Sequence, residues 1–108
     1  MDVMKRTAVI TCLMLFVLSS ICFASQGHVA YVDDYYELIV IENQYGDYTL
    51  AEIYSGYPYP SQGDRIYGNL QQYGFTNWYC PETNISYRVY IDDYYCSKDD
   101  VLEWLFNR

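Results

Sequence analysis

The chain has 108 residues and a formal net charge of −8, from 14 acidic and six basic side chains. An acidic surface of this kind repels phosphate backbones and anionic lipid headgroups, so we expect no nucleic-acid binding and no membrane-surface binding. Tyrosine occurs 15 times, and tyrosine suits strands because its ring covers half-buried pleated surface while its hydroxyl stays in water.

The first 24 residues are predicted to be a signal peptide. A short basic start precedes an apolar run over residues 7–18, which is too short to span a bilayer comfortably. Cys22 and Ala24 then supply the small side chains that signal cleavage after Ala24 requires. A lipid-modified Cys22 is disfavoured because the bulky Ile21 precedes it. We therefore expect a secreted or periplasmic protein with no transmembrane segment after cleavage.

The remaining part, residues 25–108, is expected to be one small domain of 108 − 24 = 84 residues with a modest core. Removing the acid and the two bases of the leader leaves 14 − 1 = 13 acids and 6 − 2 = 4 bases, a net charge of −9. The domain is thus more acidic than the whole chain.

Five short strands are predicted from runs of β-branched and aromatic residues that turn residues separate. The predicted strands cover residues 35–42, 48–55, 65–70, 75–80 and 85–95. Residues 25–34 are expected to be a loosely held lead-in. Pro58 and Pro60 exclude regular structure from the loop over residues 56–64, because each proline removes a backbone donor and fixes φ.

A short helix is predicted at the C-terminal end. Ser97 is placed to cap it, and Asp100 stands three residues on, where the acid of a capping box belongs. An apolar side is predicted from four residues: Val101, Leu102, Leu105 and Phe106. Trp104 lies away from that side, so it either marks a protein interface or wraps the end of the domain.

This order of elements predicts a mainly β fold: a small five-stranded barrel, SH3-like or OB-like, with a short C-terminal α-helix. The segment "QGDRIYGNLQQYGF", residues 62–75, resembles the loop, strand and turn of many such barrels, where Gly-Asp enters a strand and a glycine lets it bend. In layout the domain resembles the small secreted bacterial β-barrel proteins of unknown function. That resemblance implies a fold and assigns no functional residue.

The phrase "VDDYY", residues 32–36, returns as "IDDYY", residues 91–95. The flanking sequences differ, so we interpret the repeat as two strand edges or ends that acids protect from edge pairing, and not as a duplication. The alternative is a calcium site, if the first and last strands pair and bring the carboxylates together. Its four candidate ligands are Asp33, Asp34, Asp92 and Asp93.

The domain has two cysteines, Cys80 and Cys96. An oxidising compartment favours a disulfide between them. A tight hairpin over residues 81–84 would instead carry Cys96 about ten residues, or roughly 33 Å, along the strand from Cys80. The bond is predicted on the balance of these two arguments.

The loop over residues 56–64 holds Tyr57 and Tyr59 between prolines, and we predict that these rings, with Trp78, bind a sugar or a peptide. The alternative is that they plug the barrel end. No catalytic set can be assembled around the single histidine, His28, so no enzyme activity and no cofactor are expected. The sequence favours a non-catalytic binding module for a glycan, or for a protein or peptide of the cell envelope. The alternative is a structural component of the envelope that acts through protein contacts.

Overall fold

In the computed structural model, residues 26–107 are described, and the predicted signal peptide lies outside them. The described part contains six strands and one helix. In chain order these are β1 Gln26–Asp33, β2 Leu38–Asn43, β3 Tyr48–Ser55, β4 Arg65–Tyr67, β5 Gly74–Cys80, β6 Ile85–Cys96 and α1 Lys98–Phe106. The predicted fold class, mainly β with a closed barrel and a short C-terminal helix, is confirmed, with six strands instead of five.

The barrel consists of two antiparallel three-stranded meanders, β1-β2-β3 and β4-β5-β6. Two seams join them, because β3 pairs with β6 and β1 pairs with β4, both antiparallel. The ladder between β4 and β5 is the shortest, with the single pair Tyr67 and Tyr79. The strand order around the barrel is therefore β1-β2-β3-β6-β5-β4.

The predicted lead-in is wrong, since most of it forms β1. Gly27 and Val29 are buried while Gln26 and His28 are exposed, which is the alternation of a half-buried strand. Glycine and histidine concealed this strand in the sequence because neither favours β structure. Gly27 is required by close packing, because a Cβ there would lie 2.5 Å from Cγ2 of Ile41.

The interior of the barrel is filled by large side chains from every strand. Its members include Ile39 and Ile41 of β2, together with Trp78 and Tyr87. The β2 residues between them point outward, and Val40 joins Leu50 in a smaller second cluster beneath the helix. The four successive buried residues of β2 thus serve two cores, which explains why its sequence is apolar on both faces.

The helix begins as predicted. The Ser97 hydroxyl accepts a hydrogen bond from the Asp100 amide at 3.2 Å, and the Asp100 carboxylate accepts one from the Ser97 amide at 2.9 Å. This reciprocal pair satisfies two amides that the first turn leaves without partners in the helix.

The apolar side of the helix differs from the prediction. Val101, Trp104 and Leu105 pack on the outer barrel wall, at the i, i+3, i+4 spacing of a helix face. Trp104 therefore wraps the barrel wall, as the alternative interpretation had it. Leu102 and Phe106 are left exposed, and Phe106 keeps 81% of its surface in water.

The loop between β3 and β4 closes one end of the barrel. The Tyr87 hydroxyl donates a hydrogen bond to the Pro58 carbonyl and lies 2.9 Å from Oγ1 of Thr83. Gly56 enters this loop with a φ of 112°, and a Cβ there would lie 2.5 Å from the Tyr87 ring. The Tyr87 ring thus fixes the course of the loop.

Within residues 26–107, no helix is long and apolar enough to cross a membrane.

Candidate functional site

Three exposed aromatic rings meet on the outer wall formed by β3, β6 and β5. Phe75 and Tyr90 are directly opposite in the β5-β6 ladder, and Tyr54 of β3 packs beside both. The exposed fractions are 58% for Tyr54, 46% for Phe75 and 36% for Tyr90. Outward positions on a sheet that faces water are usually polar, so this cluster is unusual. We call these three residues and Arg88 the aromatic face.

The rings of the aromatic face pack edge to face. The Tyr54 and Phe75 centroids are 4.9 Å apart with planes at 77°, and the Phe75 and Tyr90 centroids are 4.9 Å apart at 78°. Edge-to-face pairs are favourable because the positive edge of one ring meets the negative face of the next. The rings therefore hold one another in place and form a corrugated surface.

Arg88 covers part of this surface. Its guanidinium carbon lies 4.6 Å from the Phe75 ring centroid, a cation–π contact worth about 0.5–1 kcal/mol at an exposed site. Arg65 differs, because its Nε is held by Oε1 of Glu82 at 2.7 Å. That hydrogen bond to Arg65 lowers the pKa of Glu82 to about 2. Arg88 thus presents guanidinium donors at the aromatic face, while Arg65 is fixed in an ion pair.

Acidic side chains lie beside the aromatic face. Glu52 of β3 pairs with Tyr90 in the β3-β6 ladder. Further along β6, a groove of about 600 Å³ runs between the strand and α1. Four carboxylates line it, those of Asp92, Asp93, Asp100 and Glu103. The surroundings of the aromatic face are therefore strongly negative, in keeping with the net charge of the domain.

The predicted ligand-binding tyrosines have different environments. Tyr57 is 84% exposed, whereas Tyr59 is half-buried and packs against the interior cluster. Burial, together with a hydrogen bond to Glu37, raises the pKa of the Tyr59 phenol. Tyr59 thus ties the loop to the turn between β1 and β2, and Tyr57 is the ring of this pair that a ligand can reach.

The structure places Trp78 in the core, away from any ligand-binding surface. Its ring is 1% exposed, and Nε1 donates a hydrogen bond to the Asn69 carbonyl at 2.8 Å. The proposed grouping of Trp78 with Tyr57 and Tyr59 is therefore wrong. The alternation of β5 could have shown this, because Trp78 and Cys80 point inward while Phe75 and Tyr79 point outward.

The four aspartates proposed as calcium ligands are not brought together. Asp33 ends β1 and Asp34 begins the following turn, while Asp92 and Asp93 lie within β6. The calcium hypothesis required the first and last predicted strands to pair. In the barrel β6 lies between β3 and β5, and β2 lies between β1 and β3. Over residues 26–107 no group of three or more His, Cys, Asp or Glu side chains could hold a metal ion.

Asp33 and Asp93 instead bind the chain around them. Oδ1 of Asp33 accepts hydrogen bonds from the amides of Tyr35 and Tyr36, at 2.9 and 3.1 Å. Oδ1 of Asp93 accepts one from the Tyr94 amide at 2.9 Å. The first copy of the repeated phrase thus ends a strand and forms a turn, while the second continues as strand up to the cap of the helix.

Both cysteines are buried and free, so the predicted disulfide is wrong. Cys80 stands opposite Ile85 in the β5-β6 hairpin, whereas Cys96 stands opposite Tyr48 at the far end of β6. The two thiols belong to different clusters, the barrel interior and the cluster under the helix. The hairpin register that argued against the bond therefore decides the question. Burial raises the pKa of Cys96 to about 12.

Comparison of the chain with protein-family models, with curated proteins and with solved structures finds no match. The aromatic face was not predicted as a site, although the exposed alternation of β5 and β6 was visible in the sequence. Its residues come from three strands, and only the strand order brings them into contact.

Proposed function

We propose that this chain is a secreted or periplasmic, non-catalytic binding module, and that its aromatic face binds a basic peptide segment of a partner protein. The observation that carries the proposal is the contact of Tyr54, Phe75 and Tyr90 on an exposed sheet surface. Tyrosine and arginine are the residue types that, with tryptophan, supply most of the energy at protein interfaces. The face offers rings and a guanidinium, which provide contact area and hydrogen bonds for a ligand.

The ring geometry favours a peptide over a glycan. A sugar ring stacks best on an aromatic ring whose face is open, and the guanidinium of Arg88 lies over one face of Phe75. The neighbouring rings stand nearly perpendicular to Phe75, so no flat surface is available. A corrugated surface instead suits the alternating side chains of an extended peptide.

Charge favours a basic partner. The domain carries a net charge of −9, and the acidic groove adjoins the aromatic face along β6. A peptide that carries lysine or arginine is drawn to such a surface, and the association should weaken as salt is added. An acidic partner would be repelled.

The proposal is tested with an array of peptides that vary in charge and aromatic content, probed with residues 25–108. We expect the bound peptides to be enriched in lysine and arginine. Tyr90→Ser should weaken binding by about tenfold or more, since truncating a central interface tyrosine typically costs over 1.4 kcal/mol. Tyr45→Ser is the matched control, because Tyr45 is equally exposed but lies in the turn between β2 and β3.

Each variant is also melted, because a loss of binding has meaning only if the fold persists. The Tyr90 side chain points outward, so its removal should leave the melting temperature nearly unchanged. Preferential binding of acidic peptides would contradict the proposal. So would equal binding by the Tyr90→Ser and Tyr45→Ser proteins. Loss of binding in Tyr57→Ser alone would move the site to the loop over residues 56–64.

A structural component of the cell envelope is the second candidate. The observation that favours it is the exposure of Leu102 and Phe106 on α1, since exposed apolar side chains mark contact surfaces. Size-exclusion chromatography with light scattering tests self-assembly. A monomer at every concentration would count against assembly through α1.

A further inference from the structure

A second cavity lies on the flank of α1 opposite the acidic groove. It has a volume of about 350 Å³. Its walls are the side chains of Tyr31, Asp33, Tyr36, Leu38, Leu102 and Phe106. This size lies at the lower end of the range for small-molecule sites, which are mostly apolar with a few placed polar groups. We call it the amine groove, for the reason given below.

The apolar part of the amine groove follows from how the helix sits on the barrel. Because Val101, Trp104 and Leu105 take the contacts with the wall, Leu102 and Phe106 project beside it. The floor is rigid, since Leu38 belongs to β2 and is buried. A ligand body placed there would remove the two exposed apolar side chains from water, which is favourable in proportion to the area covered.

One carboxylate supplies the charge of the groove. Oδ1 of Asp33 is occupied by the amides of Tyr35 and Tyr36, which fix the orientation of the group. Oδ2 accepts a bond only from the Tyr31 hydroxyl, at a long 3.3 Å. A carboxylate oxygen has two lone-pair sites, so Oδ2 retains acceptor capacity. Among the described residues that line the groove there is no lysine, arginine or histidine to neutralise it.

We propose that this groove binds a small hydrophobic amine. The ammonium group donates to Oδ2 of Asp33, and the aryl or alkyl body lies on Leu38, Leu102 and Phe106. A charge-assisted hydrogen bond of this kind is about twice as strong as a neutral one, and the negative domain attracts the cation. The inference does not depend on the proposed function, because it uses none of the residues of the aromatic face.

The experiment compares 2-phenylethylamine with 2-phenylethanol, which replaces the ammonium by a neutral hydroxyl on the same body. Each is titrated into ¹⁵N-labelled residues 25–108, and amide shifts are followed by NMR. We expect the amine to bind about tenfold more tightly than the alcohol, in line with the strength of hydrogen bonds to charged groups. The shifts should fall on Tyr36, Leu102 and Phe106, and Tyr90 should not respond.

Two variants locate the site. Asp33→Asn keeps an oxygen for the two turn amides and removes the charge, so it should abolish the preference for the amine over the alcohol. Phe106→Ser changes an exposed side chain at the helix end, where folding is little affected, and should weaken both ligands. Glu42→Gln is the control, since it removes a carboxylate at an exposed position of β2 away from the groove.

Equal affinity of the two ligands for the unaltered protein would overturn the proposal. So would unchanged amine binding in Phe106→Ser. A concentration-dependent dimer that Phe106→Ser dissociates would also overturn it, because the groove would then belong to a second copy of the chain. Retention of amine binding by Tyr90→Ser separates this result from any failure of the peptide-binding proposal.

Discussion

Replacing Trp78 by phenylalanine should destabilise the protein strongly. The substitution removes the hydrogen bond from Nε1 to the Asn69 carbonyl, worth about 1 kcal/mol. It also removes part of a ring that is 1% exposed, and the resulting cavity should cost about 1–2 kcal/mol more. Collapse around the smaller ring is limited because the backbone at Gly68 already lies against the indole, where a Cβ would be 2.8 Å from Cδ1. The expected loss is therefore about 2–3 kcal/mol.

The assay is urea unfolding followed by far-ultraviolet circular dichroism, which does not depend on the fluorescence of the residue removed. The midpoint should fall while the slope stays constant, since the surface exposed on unfolding hardly changes. Phe75→Leu is the matched control on the same strand, because its side chain points outward and should cost about 0.5 kcal/mol or less. A loss below about 0.5 kcal/mol in Trp78→Phe would refute the placement of Trp78 in the core.

Three further predictions concern titration and backbone space. The pKa of Glu82 is lowered to about 2 by its bond to Arg65, so the ion pair contributes stability above the ordinary pKa of 4.5. That contribution is lost as pH falls from 4.5 towards 2, and Glu82→Gln should flatten this part of the profile of urea midpoint against pH. A pH profile unchanged by the substitution would contradict the ion pair. The pKa of Cys96 is raised to about 12 by burial, so its thiol should not react with Ellman's reagent at pH 8 until the protein is unfolded; fast reaction of the native protein at Cys96 would show it exposed. Gly56→Ala should cost more stability than Gly46→Ala, because both positions have positive φ but only the first would press a methyl group into a neighbouring ring. Equal melting temperatures for these two variants would contradict the packing at Gly56.

Periodicity predicted those elements whose residues alternate cleanly. β3, Tyr48–Ser55, has the bounds that the sequence indicated, and the Ser97 cap was visible from its spacing to Asp100. β1 escaped notice because its buried positions include Gly27, whose role is close approach and not apolar area. The local signal was thus sufficient where side chains carry the pattern, and it failed where the backbone does.

The aromatic face shows a different limit. The outward direction of Tyr90 follows from the sequence, but its contact with Tyr54 and Phe75 depends on β6 lying between β3 and β5. That order is a nonlocal property of the barrel, which no window of neighbouring residues contains. The side of the helix that packs was mispredicted for the same reason, since the wall it meets determines whether Trp104 or Phe106 is covered.

The seam between β3 and β6 also constrains the order in which the chain can fold. Tyr48 meets Cys96 across this seam, so its first pair closes a loop of 96 − 48 = 48 residues. Contacts so distant in sequence form slowly, in the millisecond-to-second range typical of β-barrels. Until β6 and α1 are in place, Val40 and Leu50 have no cover on the outer wall. A nascent chain therefore cannot reach a stable barrel before residues 85–106 have been synthesised, and it stays extended and accessible to chaperones up to that point.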